Sequence, residues 1–247
     1  MNFLHHLGKY SMMLSSAFAR PERTRVYVRR LIDEAYSLGV SSLGIVAVVS
    51  LFMGAVITLN TAYQLVSPLI SPSVIGSVVS DSTILELAPT ICSLVLAGKV
   101  GSNIATELGS MRVSEQIDAL DVMGVNSIGF LIWPKIMGFI ITLPVLIVIS
   151  MFLSLLGGYT IGNATGIVSG AAFIEGAQSV FRTYTFVFAM IKTFTFAFII
   201  SSVSSYQGYY VDGGSIDVGK SATRSVVFSC VLILISDYTL AQLLLLN

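Results

Sequence analysis

Five apolar runs set what this chain can be. They cover about residues 38–59, 74–99, 136–162, 184–205 and 225–246. A hydrocarbon core of about 30 Å is crossed by roughly 20 apolar residues in a helix, and a segment in lipid must satisfy its own backbone N–H and C=O groups. Helices meet both conditions. Barrel strands do not, because the runs lack strict alternation and are about twice the length that a tilted strand needs. Charged residues make up 11% of the chain and hydrophobic ones 55%, whereas a soluble domain carries about 25% charge. The expected fold is all-α: a polytopic membrane protein of about five transmembrane helices, with an N-terminal interfacial helix and a short cytoplasmic helix between the second and third spans.

The basic residues orient these spans, because lysine and arginine collect on the cytoplasmic side. Lys9, Arg20, Arg23, Arg25, Arg29 and Arg30 precede the first run, Lys99, Arg112 and Lys135 fall in the connection between the second and third, and Lys220 and Arg224 in that between the fourth and fifth. Only Arg182 falls on the other side, and Lys192 lies within a run. The N-terminus is expected in the cytoplasm and the C-terminus outside.

Residues 1–36 read as an interfacial region and 37–247 as one transmembrane domain. Phe3, Leu7, Tyr10, Leu14 and Phe18 recur at helical spacing, which suits a helix lying on the membrane surface. No basic residue precedes Lys9, and His5, His6 and Lys9 interrupt the apolar stretch, unlike a cleaved signal. Arg20-Pro21 breaks this helix, since the residue before proline avoids the α conformation. A second, basic helix follows to about Tyr36.

Several functions are disfavoured at once. Formal net charge is zero, so no basic face invites nucleic acid. The two cysteines, Cys92 and Cys230, sit in apolar runs and read as buried free thiols. The only histidines are His5 and His6, which leaves the spans without the usual base of hydrolytic or zinc chemistry.

Residues 97–124 carry two overlapping patterns. Ser93, Ala97, Gly101, Ala105 and Gly109 repeat every fourth position, a strip of small side chains that lets another helix approach closely; packing within one subunit and contact with another both fit. Next, Ser114 is a suitable N-cap, with Glu115, Gln116 and Asp118 in the first turn, where the helix dipole favours acids. Ile117, Leu120 and Met123 fall near one face, and Gly124 suits the C-terminal end. This short amphipathic helix either docks into another protein or lies against its own chain.

Charges within the spans are the next candidates. A charge at mid-bilayer costs about 2.5–3.5 kcal/mol on insertion scales and therefore faces a cavity or a partner. Glu86, Lys192 and Asp237 qualify by position, whereas Asp81 falls nearer an interface. They fit either a structural ion pair or a polar substrate path. Outside the membrane, Gly166 and Gly170 with Phe173, Ile174, Ala177 and Val180 suggest a short amphipathic helix. Residues 214–221 match the phosphate-loop pattern G-x-x-x-x-G-K-[ST]. That motif works only between a buried strand and a helix of an α/β domain, and here a cytoplasmic loop leading into the fifth span is expected instead.

The runs Glu86-Leu87-Ala88-Pro89, Leu96-Ala97-Gly98-Lys99-Val100-Gly101 and Glu107-Leu108-Gly109-Ser110-Met111-Arg112-Val113-Ser114-Glu115-Gln116-Ile117-Asp118-Ala119-Leu120 resemble the signature of the MlaE/YrbE permeases. Those are membrane subunits of ABC transporters that move phospholipid in bacterial envelopes. Trp133-Pro134, Lys192, Gly208-Tyr209 and Thr223-Arg224-Ser225 extend the resemblance over nearly the whole chain. It implies a homodimer in the bacterial inner membrane with phospholipid in a cavity between its halves. A cytoplasmic ATPase would bind ATP and Mg, so that this chain needs no cofactor of its own, and a periplasmic MCE-domain protein would sit on the other side. It also implies that Glu107, Arg112, Glu115, Gln116 and Asp118 couple to the ATPase. Glu86, Lys192 and Asp237 are then expected along the lipid path. The competing class is a secondary transporter or channel in which Glu86 and Lys192 couple ions. Such proteins commonly carry inverted repeats, and none is visible here.

Overall fold

The computed structural model describes residues 3–18, 24–65 and 71–245. The expected break at Arg20-Pro21, and Arg23, lie outside them. Among the described residues every regular element is helical: α1 (Phe3–Phe18), α2 (Thr24–Gly39), a 3-10 turn (Val40–Ser42), α3 (Leu43–Gln64), α4 (Ser73–Ser82), a π-helical stretch (Thr83–Ile91), α5 (Cys92–Leu96), a second π turn (Ala97–Gly101), α6 (Ser102–Val113), α7 (Gln116–Val122), α8 (Ser127–Ala164), α9 (Gly170–Ser179), α10 (Thr183–Tyr209) and α11 (Ser215–Leu245). Five continuous helical stretches are long and apolar enough to cross a membrane: Tyr27–Gln64, Ser73–Val113, Ser127–Ala164, Thr183–Tyr209 and Ser215–Leu244.

These stretches outrun the apolar runs, and the basic residues explain much of the difference. Lys99 and Arg112 sit on the helix of the second span, Lys135 inside that of the third, and Lys220 and Arg224 in the first turns of the fifth. The expected connection between spans two and three therefore shrinks to residues 114–126, which hold no lysine or arginine. The 214–221 motif is likewise no phosphate loop: α11 starts at Ser215, directly after Gly214, and Lys220 Nζ pairs with Asp217 Oδ1 at 2.9 Å on the same helix.

The chain forms two compact units. The first comprises Met1–Ser42, Leu94–Leu143 and Thr195–Ser236. In it α2 runs alongside the start of α8. Tyr27 meets the Trp133 ring edge-on, the Arg30 guanidinium lies 3.6 Å from the centre of the Phe130 ring, and a Cβ on Gly138 would lie 3.2 Å from Ala35 N. α1 is tied to α10 by Tyr10 Oη with Ser202 Oγ and His6 Nδ1 with Tyr206 Oη, each at 2.8 Å. Burial raises the Tyr10 phenol above its usual pKa, against the opposing hydrogen bond from Ser202. α6 packs in parallel against α10, Gly101 facing Ser204 and Ala105 facing Gly208.

The second unit comprises Leu43–Ser93, Pro144–Phe194 and Asp237–Asn247. Here α3 and the later part of α8 run in parallel in near backbone contact. A Cβ added to Gly54 would overlap the backbone of Ser154, and one added to Gly157 the backbone of Leu51. Ser50 Oγ donates to Ser150 Oγ at 2.8 Å, and Cys92 Sγ lies 3.0 Å from that hydroxyl. Both cysteines are free; Cys92 is buried and Cys230 partly so. α9 forms where the outer amphipathic helix is expected, and Ser169 caps it by accepting from Ala172 N at 3.3 Å. Its Phe173 and Gly176 turn inward onto α4, with Phe173 in a core of Ile75, Val79 and Val168, while Ile174 stays exposed.

Candidate functional site

The charged residues of the second, fourth and fifth spans converge in the second unit. Pro89 starts the arrangement. It has no N–H for the carbonyl four residues back, and its ring crowds that oxygen. The chain widens there into the π helix Thr83–Ile91, with Pro89 inside it; such widenings recur at functional positions. Lys192 Nζ donates to the carbonyl in question, Leu85 O, at 3.3 Å. The same ammonium pairs with Glu86 Oε1 at 2.6 Å and Asp237 Oδ1 at 2.7 Å. Thr90 Oγ1 lies 3.5 Å from Glu86 Oε2 and 3.3 Å from Asp237 Oδ1, between the two carboxylates. The Phe188 ring centre is 4.7 Å from Nζ, within cation–π range.

The lysine side chain is fully buried, whereas those of Glu86 and Asp237 are 44% and 18% exposed. Two carboxylates around one cation leave a formal charge of −1. The cluster therefore offers the chain's surface an acidic, hydrogen-bonding spot amid apolar helices. All three span residues singled out in the sequence meet here, while among the described residues Asp81, half-buried on α4, takes no part in their ion pairs.

The connection after the second span differs from expectation at its start. Ser114 does not cap α7. It ends α6, its Oγ donating to Ser110 O at 2.7 Å. Glu115 takes the N-cap place in the left-handed region, φ 58°, without a side-chain cap. The far end is as expected. Gly124 has φ 77°, its N–H reaches Asp121 O at 3.0 Å and Val125 N–H reaches Leu120 O at 3.1 Å, a Schellman closure. Ile117 is fully buried, but Met123, past the end of α7, is exposed together with Val122. Arg112 pairs with Asp118 at 2.7 Å and Gln116 Nε2 with Ser114 Oγ at 3.0 Å, so these polar groups brace the connection itself.

Glu107 belongs elsewhere. Its Oε2 meets Lys135 Nζ at 2.8 Å, and Glu34 Oε1 meets the same ammonium at 2.6 Å. The sequence reading takes Lys135 as an orientation marker and misses this cluster. Its signal is a lysine in Trp133-Pro134-Lys135-Ile136, at the edge of an apolar run, with two glutamates on flanking helices. The strip Ser93, Ala97, Gly101, Ala105 and Gly109 is buried throughout. Gly101 faces Ser204, and Gly109 faces Val211 and Val218, all of the same chain.

Residues 31–243 match the family model described as Permease MlaE. The chain belongs to the MlaE permease family. A probable ABC transporter permease of Rickettsia bellii is 35% identical over 237 residues, 96% of this chain and 91% of that protein. One of Synechocystis is 31% identical, covering 89% of this chain and 83% of the relative. The Arabidopsis thaliana chloroplastic protein trigalactosyldiacylglycerol 1 is 33% identical over 88% of this chain and 62% of its own length. Family and relatives together make this chain a multi-pass permease subunit of an ABC transporter. The Lys192 cluster and α7 are thus features of an MlaE permease.

Proposed function

We propose that this MlaE permease moves phospholipid between the membranes of a bacterial envelope. In this reading it is an inner-membrane homodimer with its N-terminus in the cytoplasm and its C-terminus in the periplasm. A separate ATPase supplies ATP and Mg, and a periplasmic MCE-domain protein exchanges lipid with it. The observation that carries the reading is the buried Lys192 held by Glu86 and Asp237 at the π-helical break of the second span. Charge within a span points to a functional site such as a substrate path, and the exposed part of Glu86 is a polar contact for a headgroup. One relative's name, trigalactosyldiacylglycerol, is that of a glycerolipid, which supports lipid as the cargo.

α11 turns Val231, Leu234, Ile235 and Tyr238 outward, an apolar face suited to a second copy, since closed two-fold pairs are the commonest oligomers. On the cytoplasmic side, Glu115, Val122 and Met123 are among the exposed residues of the connection that the ATPase grips. Arg112, Gln116 and Asp118 keep it stiff, and Glu107 passes its movement to α8 and α2 through Lys135. The chain does no bond chemistry. Nucleotide drives it only by binding one state of the complex better than the other.

The test is purification of the complex from native membranes, identification of its proteins and lipids by mass spectrometry, and reconstitution of lipid transfer between vesicles. An ATPase chain and phospholipid are expected to co-purify at fixed ratio, and transfer to stop without ATP. Transfer driven by membrane potential with no ATPase present would overturn the reading. Glu115→Lys is expected to lower the ATPase yield severalfold without changing membrane insertion, as read by pull-down against total permease.

A further inference from the structure

The first unit contains a concave site that shares no residue with the Lys192 cluster. It is a cavity of about 490 Å³ bounded by Ser37 and Ser41 on one side and by Lys99, Ser102, Asn103 and Thr106 on the other, over a floor of Leu38 and Val100. Lys99 lies in the π turn Ala97–Gly101. Its Nζ donates to the carbonyl of Ser41. An ammonium has three N–H donors, so two remain after that bond.

The other polar groups are mostly unspent. Ser102 Oγ turns back onto the carbonyls of Gly98 and Lys99. Among the described residues, the side chains of Ser37, Asn103 and Thr106 form no hydrogen bond that competes for their donors. The lining holds one cation and no carboxylate. A wall with surplus donors and one positive charge is complemented by a ligand that only accepts and is negative. Charge-assisted bonds to phosphate oxygens are the strong form of that match. The volume lies at the lower end of the roughly 300–1,000 Å³ of small-molecule sites, enough for a headgroup and not for a whole lipid.

We propose that this cavity binds a phosphate group, with Lys99 as its charge partner and Asn103 and Thr106 as its further donors. The phosphate comes from a phospholipid headgroup or from free phosphate, and the apolar floor of Leu38 and Val100 suits the glycerol end of a headgroup. The proposal goes beyond the lipid path proposed above and does not depend on it.

Full-length protein in a neutral detergent is titrated calorimetrically with dihexanoyl phosphatidic acid, inorganic phosphate and dihexanoylglycerol. One saturable site per chain is expected for a phosphate-bearing probe. Lys99→Gln weakens it at least tenfold, Thr106→Val severalfold, and Lys99→Arg leaves it within threefold. Phosphatidic acid binding tenfold or more tightly than inorganic phosphate supports a headgroup site; equal affinities support a site for free phosphate. Affinity unchanged in both Lys99→Gln and Thr106→Val overturns the proposal, as does dihexanoylglycerol competing as well as phosphatidic acid. Binding lost in Lys192→Met but kept in Lys99→Gln also overturns it, while leaving the proposed lipid path standing.

Discussion

Each compact unit buries one lysine between two carboxylates, yet the two hold their helices together by different means. In the second unit the helices touch through backbone: Gly54, Gly76, Gly157 and Gly176 have no room for a Cβ because a neighbouring main chain occupies it. The first unit has one such contact, Gly208 against Ala105, and otherwise relies on side chains, as in Tyr27 on Trp133, Arg30 on Phe130 and Tyr10 on Ser202. The basic residues divide the same way, with Arg182 and Lys192 the only two of thirteen in the second unit. Where lipid removes the hydrophobic drive between helices, close van der Waals contact replaces it. The same lysine clamp in the two settings carries different consequences.

Three sets of substitutions sharpen that contrast. Lys192→Met is expected to have the largest effect. It leaves Glu86 and Asp237 facing each other without a cation, and removing one partner of a buried pair costs about 3–5 kcal/mol. Unfolding of the purified protein in detergent measures it. Adding Glu86→Gln and Asp237→Asn to Lys192→Met is expected to restore at least half of the stability but not lipid transfer. Recovery of transfer along with stability would make the clamp purely structural.

Lys135→Met comes next, at about 3 kcal/mol for a pair broken by removing its buried member. Its two carboxylates should separate: Glu34 is 22% exposed and Glu107 45%, so Glu34→Gln costs more than Glu107→Gln. Equal costs in chemical unfolding would mean that exposure does not govern this cluster. Smallest is the glycine pair. Gly176→Ala forces a methyl into the backbone of Ser73, whereas Gly101→Ala meets the hydroxyl of Ser204, which can rotate. The first is expected to lower stability by about 1–3 kcal/mol and the second by less than about 1 kcal/mol. Similar melting shifts for both would end the distinction between units.

The sequence alone determined the number and kind of spans, because apolar length and a shortage of charge leave a chain in lipid one solution. It also brought out Glu86, Lys192 and Asp237, since charge is rare enough inside a span to be conspicuous. What it could not show was that they touch, being 106 and 45 positions apart from Lys192 along the chain. Ser114 reads as an N-cap in the sequence, but a good N-cap residue also bonds well to a carbonyl one turn back, and only the continuation of α6 to Val113 decides which. A lysine at the edge of an apolar run looks the same whether it faces water or two glutamates, so the sequence does not reveal the partners of Lys135. Local composition records how a residue is solvated on average. Which partner replaces the water is a fact of helix packing, and the tertiary structure decided it for Lys135, for the small-residue strip and for the cavity beside Lys99.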